Sequence, residues 1–414
     1  MAYLPRTIDS ELDDLLAGAP AIAIEGPRGV GKTETAKRRA DTVWRMDDAA
    51  QRELIAADFD LSCLPAGTVL IDEWQNLPQV WDSVRRRVDG GAPPGRFLLT
   101  GSAGSTAATH SGAGRVLSLR MRPMGLHERG ATTATVSLSQ MLAGEAGSVE
   151  GRCDLGLRDY ADAITASGFP GIMGAPPRVR RELLDAYTRR VIDKDLPEQG
   201  RGVRRPDTML RWLRAYAAAT STTTAYSRIL AAAASGDGEQ PAKATTIAYR
   251  DGLARLWLLD PVPGWTPTES PIRAVQQAPK HQLADPALAA RLLNVSAEQL
   301  LSPEGARTFG LLFESLATLG VRVMAQAAEA SVGHLRTAHG EHEIDLVAQR
   351  FDGRIVAAEV KLSAGVADAD VRHLKWLRER LPDKVADLMV LTTGANAYRR
   401  RDGVAVVPLA LLGP

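Results

Sequence analysis

The sequence predicts an α/β fold: two separate α/β units joined by a mostly helical middle. Three observations carry that expectation. Short apolar runs alternate with helical patterns over the first 130 residues, the order that builds a parallel sheet covered on both faces. Residues 131 to 265 lose that alternation and read as mostly helical. After about residue 276 alternating strands return, set between two amphipathic helices.

The elements follow in order. Ala21–Glu25 (AIAIE) is an apolar run ending in a glycine loop, which predicts a buried strand feeding a turn. A helix is expected from Lys32 to Met46. Thr68–Asp72 (TVLID) reads as the second strand, residues 81–88 as the helix after it, and Arg96–Thr100 (RFLLT) as the third strand, closed by Gly101. GFPG at 168–171 breaks the helical region that follows. From Asp207 to Trp265, three short helical patterns precede the apolar LWLLDPVPGW. That order suits a helix-turn-helix with a wing, with Ser235–Pro241 as a loop inside it. Farther on, Arg307–Leu319 is an amphipathic helix. Strands are expected at Val321–Gln326, Glu343–Gln349 and Arg354–Lys361, a helix at Ala367–Leu381 with Val371, Leu374, Leu377 and Leu381 on one face, and a last strand at Leu388–Thr392. The expected units are residues 1–130, 131–200 (a helical lid), 201–275 (winged-helix-like) and 276–414.

Composition narrows the function classes. A chain of 414 residues with 45% hydrophobic and 24% charged residues is ordinary for a globular protein. The formal net charge of +1 leaves any nucleic-acid surface to a local patch. The two cysteines, Cys63 and Cys153, have no metal-ligand spacing, which argues against a disulfide framework and for a reducing cytoplasm. The N-terminal MAYLPRTIDSELDD has no apolar run behind a basic start, and no stretch reaches roughly 18 uninterrupted apolar residues. The expectation is a chain without signal peptide or membrane span.

Gly26-Pro27-Arg28-Gly29-Val30-Gly31-Lys32-Thr33 fits G-x-x-x-x-G-K-[ST] in full, with a strand before it and a helix after it. Backbone N–H groups of such a loop face phosphates, which predicts ATP as ligand. Lys32 is expected to reach the β- and γ-phosphates and Thr33 to ligate Mg2+. Asp72, at the end of the second strand, is expected on the magnesium side, and Glu73 as the general base for the attacking water. Thr100 offers a hydroxyl that senses the γ-phosphate or positions that water. Arg115, in SGAGR, is a candidate arginine finger, in cis or from a neighbouring subunit of a homo-oligomer.

These motifs carry a resemblance. The order GPRGVGKT, VLIDEWQ, RFLLTGS and GRVLSLRMRPMGLHE resembles AAA-type P-loop ATPases of bacteria and archaea that carry a C-terminal domain of unknown function of the DUF4143 type. GFPG, YTRRVIDKD, the helical Thr208–Leu259 region and KHQLADPALA also resemble that group, so the likeness covers nearly the whole chain. Met121–Met124 (MRPM) departs from the RPLS-like turn of the group. The resemblance implies an AAA+-like core and ATP hydrolysis.

A second constellation lies in the last unit. Glu359 and Lys361 stand two apart and project from one strand face. Asp345 sits on the preceding strand, joined to the next by an Asp352-Gly353 turn, so a hairpin brings it near Glu359. With Glu314 on the preceding helix, the pattern resembles the PD-(D/E)XK nucleases. The resemblance implies Glu314, Asp345 and Glu359 as metal ligands and Lys361 as the catalytic lysine, in an active nuclease or a binding module on that fold. Arg201, Arg204, Arg205, Arg211 and Arg214, and separately Arg372, His373, Lys375, Arg378 and Arg380, form basic clusters that read either as contacts for DNA phosphates or as solvated helix faces. DNA, or a protein partner held by the winged-helix and C-terminal units, is therefore the expected partner.

Overall fold

The computed structural model describes residues 3–101, 112–145, 147–198, 205–234, 243–266, 278–337 and 340–414. Its strands, in chain order, are β1 (Ala21–Glu25), β2 (Thr42–Arg45), β3 (Val69–Asp72), β4 (Phe97–Gly101), β5 (Leu117–Arg120), β6 (Val136–Ser137), β7 (Gly151–Arg152), β8 (Ala330–Arg336), β9 (Glu343–Arg350), β10 (Ile355–Val360), β11 (Val385–Thr392), β12 (Asn396–Arg399), β13 (Ala405–Pro408) and β14 (Leu412–Gly413).

The first five strands form one sheet in the order β2-β3-β4-β1-β5, parallel throughout. Side chains alternate across it as strand geometry demands. Ala21, Ala23, Val69, Ile71, Phe97 and Leu99 face the core beneath the Ala49–Ala57 and Gln79–Asp89 helices. Ile22, Ile24, Leu70 and Leu98 face a second, larger core. That larger core runs on without a break through Tyr160, Trp212, Leu288 and Phe313 to Met389 and Val407. Segments expected as four units thus share one apolar cluster, and they share sheet edges too: β6 pairs with β14 and β7 with β12.

The helix after the glycine loop is shorter than its expected span. It covers Lys32–Lys37, and Thr42–Arg45 is a strand at the sheet edge. Thr42, Val43 and Trp44 are β-branched or aromatic, and pairing with β3 satisfies their backbone.

In the middle, helices Pro206–Ala218, Tyr226–Ala233 and Lys243–Arg255 are followed by a small ladder. Residues 258–262 run antiparallel to 280–284, with Leu259 opposite Leu283 and Val262 opposite Lys280, while Thr220 pairs in parallel with His281. The loop expected at Ser235–Pro241 lies outside the described residues.

The C-terminal sheet has seven strands, ordered β7-β12-β13-β11-β10-β9-β8. β8, β9 and β10 are antiparallel neighbours, and β11 joins β10 in parallel after the Arg372–Arg380 helix. The expected Val321–Gln326 strand is instead the end of a single helix, Ala306–Ala327. Val321, Met324 and Ala325 are buried at helical spacing, so the core-facing stripe continues past Leu319. The first strand of the unit is β8. Among the described residues this is the one helix long and apolar enough to cross a membrane, and 67% of its most apolar window is buried inside the fold.

Candidate functional site: the P-loop pocket and the C-terminal acidic pocket

The loop between β1 and the Lys32–Lys37 helix folds back tightly. Gly31, the residue before the helix, has φ +104°, a conformation that L side chains rarely adopt. A Cβ on Gly26 would lie 2.1 Å from the carbonyl oxygen of Met121. Val30 is fully buried and anchors the loop in the core. The loop borders an open cavity of about 700 Å³, lined among others by Arg28, Lys32, Thr33, Glu73, Pro170 and Lys194.

Inside that pocket the Lys32 ammonium donates to the carbonyl oxygens of Gly26 and Pro27, both at 2.8 Å. Burial pulls its pKa down to about 8, while Glu73 and Asp72 pull the other way and Arg28 adds to the lowering. Thr33 Oγ1 donates to Asp72 Oδ1 at 2.7 Å, and Thr100 Oγ1 donates to the same oxygen. Thr33, Asp72 and Thr100 are therefore brought together, with Thr100 buried on Asp72. Glu73 sits just past β3 with φ +53°, an uncommon conformation for a non-glycine residue, and lines the pocket. Its carboxylate accepts from Gln75 Nε2. Arg28 pairs with Asp195 (3.2 Å) and Glu198 (3.4 Å), across from the loop. Asp195 closes a π-helical turn, Val191–Asp195, a local irregularity frequent at functional sites.

Arg115 lies elsewhere. It is exposed, pairs with Asp89 at 2.9 Å and is not among the residues that line the pocket. Ser102, beside Thr100, falls outside the described residues. Sequence reasoning missed a second, mostly apolar cavity of about 250 Å³ behind Gly31, lined by Tyr3, Leu4, Met121 and Met124. Its signal was the YLPR segment and the MRPM departure.

In the C-terminal unit the helix–hairpin–strand order brings Glu314, Asp345, Glu359 and Lys361 to one region. Lys361 Nζ lies 3.1 Å from Glu359 Oε2. Asp345 Oδ2 accepts the backbone N–H of Val360 at 2.9 Å, as the expected hairpin implies. The expected metal set does not assemble as such: among the described residues no group of three His, Cys, Asp or Glu is placed to hold a metal ion. Lys280, from the middle ladder, stands between the carboxylates instead. Its Nζ is 2.9 Å from Glu314 Oε1 and 2.7 Å from Asp345 Oδ1, and its side chain is 3% exposed. Burial and the neighbouring Asp345 raise Glu314 to about 8, and burial with Asp345 does the same for Glu359. Burial works against the Asp345 carboxylate, yet Lys280 holds it below its ordinary value. Sequence reasoning missed Lys280; its signal was the lysine that opens KHQLAD, a segment buried throughout.

Two features tie the pockets together. Ser167 Oγ and Gly168 N both donate to Asp285 Oδ2, at 2.7 and 2.6 Å, so the segment that starts with Lys280 ends by holding the loop that carries Pro170 to the P-loop pocket. Asp260, on the other strand of the ladder, is gripped by Arg120 (3.0 Å), Arg122 (2.8 Å) and Arg322 (2.9 Å). Arg120 ends β5, opposite Glu25 of β1, one residue from the glycine loop. Burial disfavours the Asp260 carboxylate, but the three guanidinium groups outweigh it and hold Asp260 well below the usual carboxylate range.

Of the basic clusters, Arg201 and Arg204 lie outside the described residues. Arg211 donates to Thr208 Oγ1 (3.1 Å), Arg372 to His373 (3.0 Å) and Arg378 to the carbonyl of Asp402 (3.4 Å). Cys63 is exposed and Cys153 buried, both as free thiols.

A parallel sheet with a glycine loop at the end of its first strand defines a P-loop NTPase-like α/β fold. Residues 18–129 match the AAA domain family, residues 157–299 a domain of unknown function (DUF8612), and residues 309–412 another (DUF4143). Uncharacterized proteins of Mycobacterium tuberculosis and Mycobacterium bovis are each 24% identical over 421 residues, spanning 97% of this chain and 83% of theirs. The Walker-type ATPase PABY2304 of Pyrococcus abyssi superposes with a TM-score of 0.41 at 14% identity, covering 70% of this chain and 96% of that one. The chain thus carries an N-terminal AAA-type P-loop ATPase domain, followed by a DUF8612/DUF4143 region, and is an ATPase.

Proposed function

We propose that this chain hydrolyses ATP at the P-loop and uses the nucleotide state to set how its middle and C-terminal units engage DNA or a protein partner. One observation carries the reading. The six residues Lys280–Asp285 have one end in the C-terminal acidic pocket and the other hydrogen-bonded to the loop that lines the nucleotide pocket. A shift of that loop on nucleotide binding reaches the acidic pocket through a backbone whose partners at 258–262 are themselves gripped by the ATPase strand at Asp260. This is a contiguous physical path between the two pockets.

In this mechanism Lys32 leaves its two backbone carbonyls for the β- and γ-phosphates, and Glu73 accepts the proton of the attacking water. Thr33 lines the pocket and its hydroxyl bonds Asp72 Oδ1 directly, with no ammonium between them, a donor set that fits Mg2+. Those two residues would hold the ion, which neutralises phosphate charge when bound. Thr100 orients Asp72 through its hydroxyl. The apolar cavity beside Tyr3 and Met121 suits the flat face of the adenine ring. Three helices followed by a ladder at 258–262 and 280–284 support a winged-helix reading of the middle, with the basic residues around the first helix as the phosphate contacts.

A second reading, an ATP-regulated metal-dependent nuclease, is favoured by the order helix, three antiparallel strands, helix, parallel strand around Glu314, Asp345, Glu359 and Lys361. The test is ATP turnover and DNA cleavage by the full chain and by Lys32→Ala, with and without duplex DNA. Turnover stimulated by DNA and lost by roughly 10²-fold or more in Lys32→Ala supports the first reading. Tight ATP binding with neither turnover nor response to DNA would replace it with a nucleotide-gated binding protein. Cutting that disappears in Asp345→Ala would favour the nuclease.

A further inference from the structure

The nuclease resemblance expects a divalent cation among the carboxylates of the C-terminal pocket, yet the centre of the pocket is taken. Lys280 Nζ lies 2.7 Å from Asp345 Oδ1 and 2.9 Å from Glu314 Oε1, with Glu343 Oε1 next at 4.0 Å. These are charge-assisted hydrogen-bond lengths. A magnesium ion needs oxygens at about 2.0–2.1 Å in near-octahedral array, so it cannot share this seat with an ammonium group. Nor is the lysine a surface side chain that has fallen inward. Its side chain is 3% exposed, and its backbone N–H and C=O are both bonded to Val262, at 3.0 and 2.9 Å. The strand that delivers it belongs to the middle ladder, which meets the C-terminal sheet at β8 through the Gly264–His334 bridge and not at the strands that carry Asp345 and Glu359. Meanwhile Glu359 Oε1 is buried without a hydrogen-bond partner. That orphaned oxygen marks an acidic pocket built for more positive charge than the single Lys361 contact on Oε2 supplies.

We propose that Lys280 is a built-in cation, supplied by the middle unit, that occupies the metal seat of the C-terminal pocket and closes it to divalent ions as long as the Lys280–Asp285 strand stays in place. The residues as arranged here do not fit a metal. The pocket becomes a metal site only when the ammonium leaves. The inference stands on the C-terminal pocket alone, and its test involves no nucleotide, so its failure leaves the ATPase reading untouched.

The test is calorimetric titration of MnCl2 into the nucleotide-free full chain, comparing wild type, Asp345→Asn, Lys280→Met, and the double variant. Mn2+ that binds elsewhere, including at the P-loop, is independent of Asp345 and cancels in the comparison. Wild type and Asp345→Asn are expected to give the same isotherm. Lys280→Met is expected to gain one Mn2+ site that the added Asp345→Asn removes. Its thermal midpoint should fall by several degrees, as expected when buried carboxylates lose their counter-charge, and Mn2+ should restore it. Asp345-dependent Mn2+ binding by wild type would overturn the proposal, and so would a folded Lys280→Met that gains no site. If Lys280→Met does not fold, Lys280→Gln, which keeps a neutral donor for the carboxylates, carries the same comparison with the same two outcomes.

Discussion

Lys32 and Lys280 are both buried ammonium groups among carboxylates, but their partners differ. Lys32 rests on the carbonyls of Gly26 and Pro27 beside an open cavity of about 700 Å³. Neutral carbonyls neutralise none of its charge, so an incoming phosphate can claim it. Lys280 rests on two carboxylates, so its charge is already answered. One pocket leaves its ammonium on neutral partners, and the other has its ammonium locked between carboxylates. The same residue type therefore marks an anion site in the first case and a filled cation site in the second, and the first contact partner decides which.

The sharpest way to break this contrast is at Glu73. If the P-loop pocket is the catalytic one, Glu73→Gln should lower ATP turnover by roughly 10²-fold or more, the usual contribution of a general base. ATP affinity should stay within a few-fold, because the amide keeps the contact with Gln75. Stopped-flow phosphate release and calorimetric ATP binding measure the two separately. Full turnover in Glu73→Gln would remove the general-base assignment.

A second test probes what joins the pockets. Asp260 is buried against Arg120, Arg122 and Arg322. Asp260→Asn leaves those guanidinium groups without their counter-charge and should cost about 3–5 kcal/mol at pH 7. The pH dependence follows from the sign of the shift. The folded-state value of Asp260 lies below the unfolded value of about 3.9. Its stabilisation is thus complete well above that unfolded value and is lost as pH falls toward the folded one. The gap in urea midpoint between wild type and Asp260→Asn should be widest near neutrality and narrow below about pH 4. A constant gap would place the effect in packing rather than in charge.

How much of this was readable in advance divides along the same line. The P-loop pocket is built from neighbours in sequence: Gly26 to Thr33 form one turn, and Asp72-Glu73 end a strand whose apolar run is plain. A local motif with a local backbone requirement is visible in one dimension. The β9–β10 hairpin was legible for the same reason, since an Asp-Gly turn sits between its strands. Lys280 was not, because it is 34 residues from Glu314 and 65 from Asp345, and nothing in KHQLAD states where its strand will lie. The end of the Ala306–Ala327 helix was misread as a strand because a short apolar run has no period of its own. Asp260 reads as the polar end of LWLLD, and only the fold brings three arginines to it. Arg115 had the right glycine-rich company for a finger, and its ion pair with Asp89, 26 residues earlier, is seen only in the fold.

Thr100 offers the finest cut. The sequence alone puts a hydroxyl near the γ-phosphate, whereas the structure directs it to Asp72 Oδ1, the oxygen that Thr33 also uses. The two roles give different kinetics. A hydroxyl that orients a magnesium-side carboxylate acts on ion affinity, and loss of such a supporting contact costs roughly 10- to 100-fold in metal affinity. Thr100→Val preserves shape at this fully packed position, so the Mg2+ concentration for half-maximal turnover should rise by about tenfold while turnover at saturating Mg2+ falls only a few-fold. If turnover drops and the Mg2+ midpoint does not move, Thr100 acts on the phosphate or the water, and the carboxylate contact seen here belongs to the resting state alone.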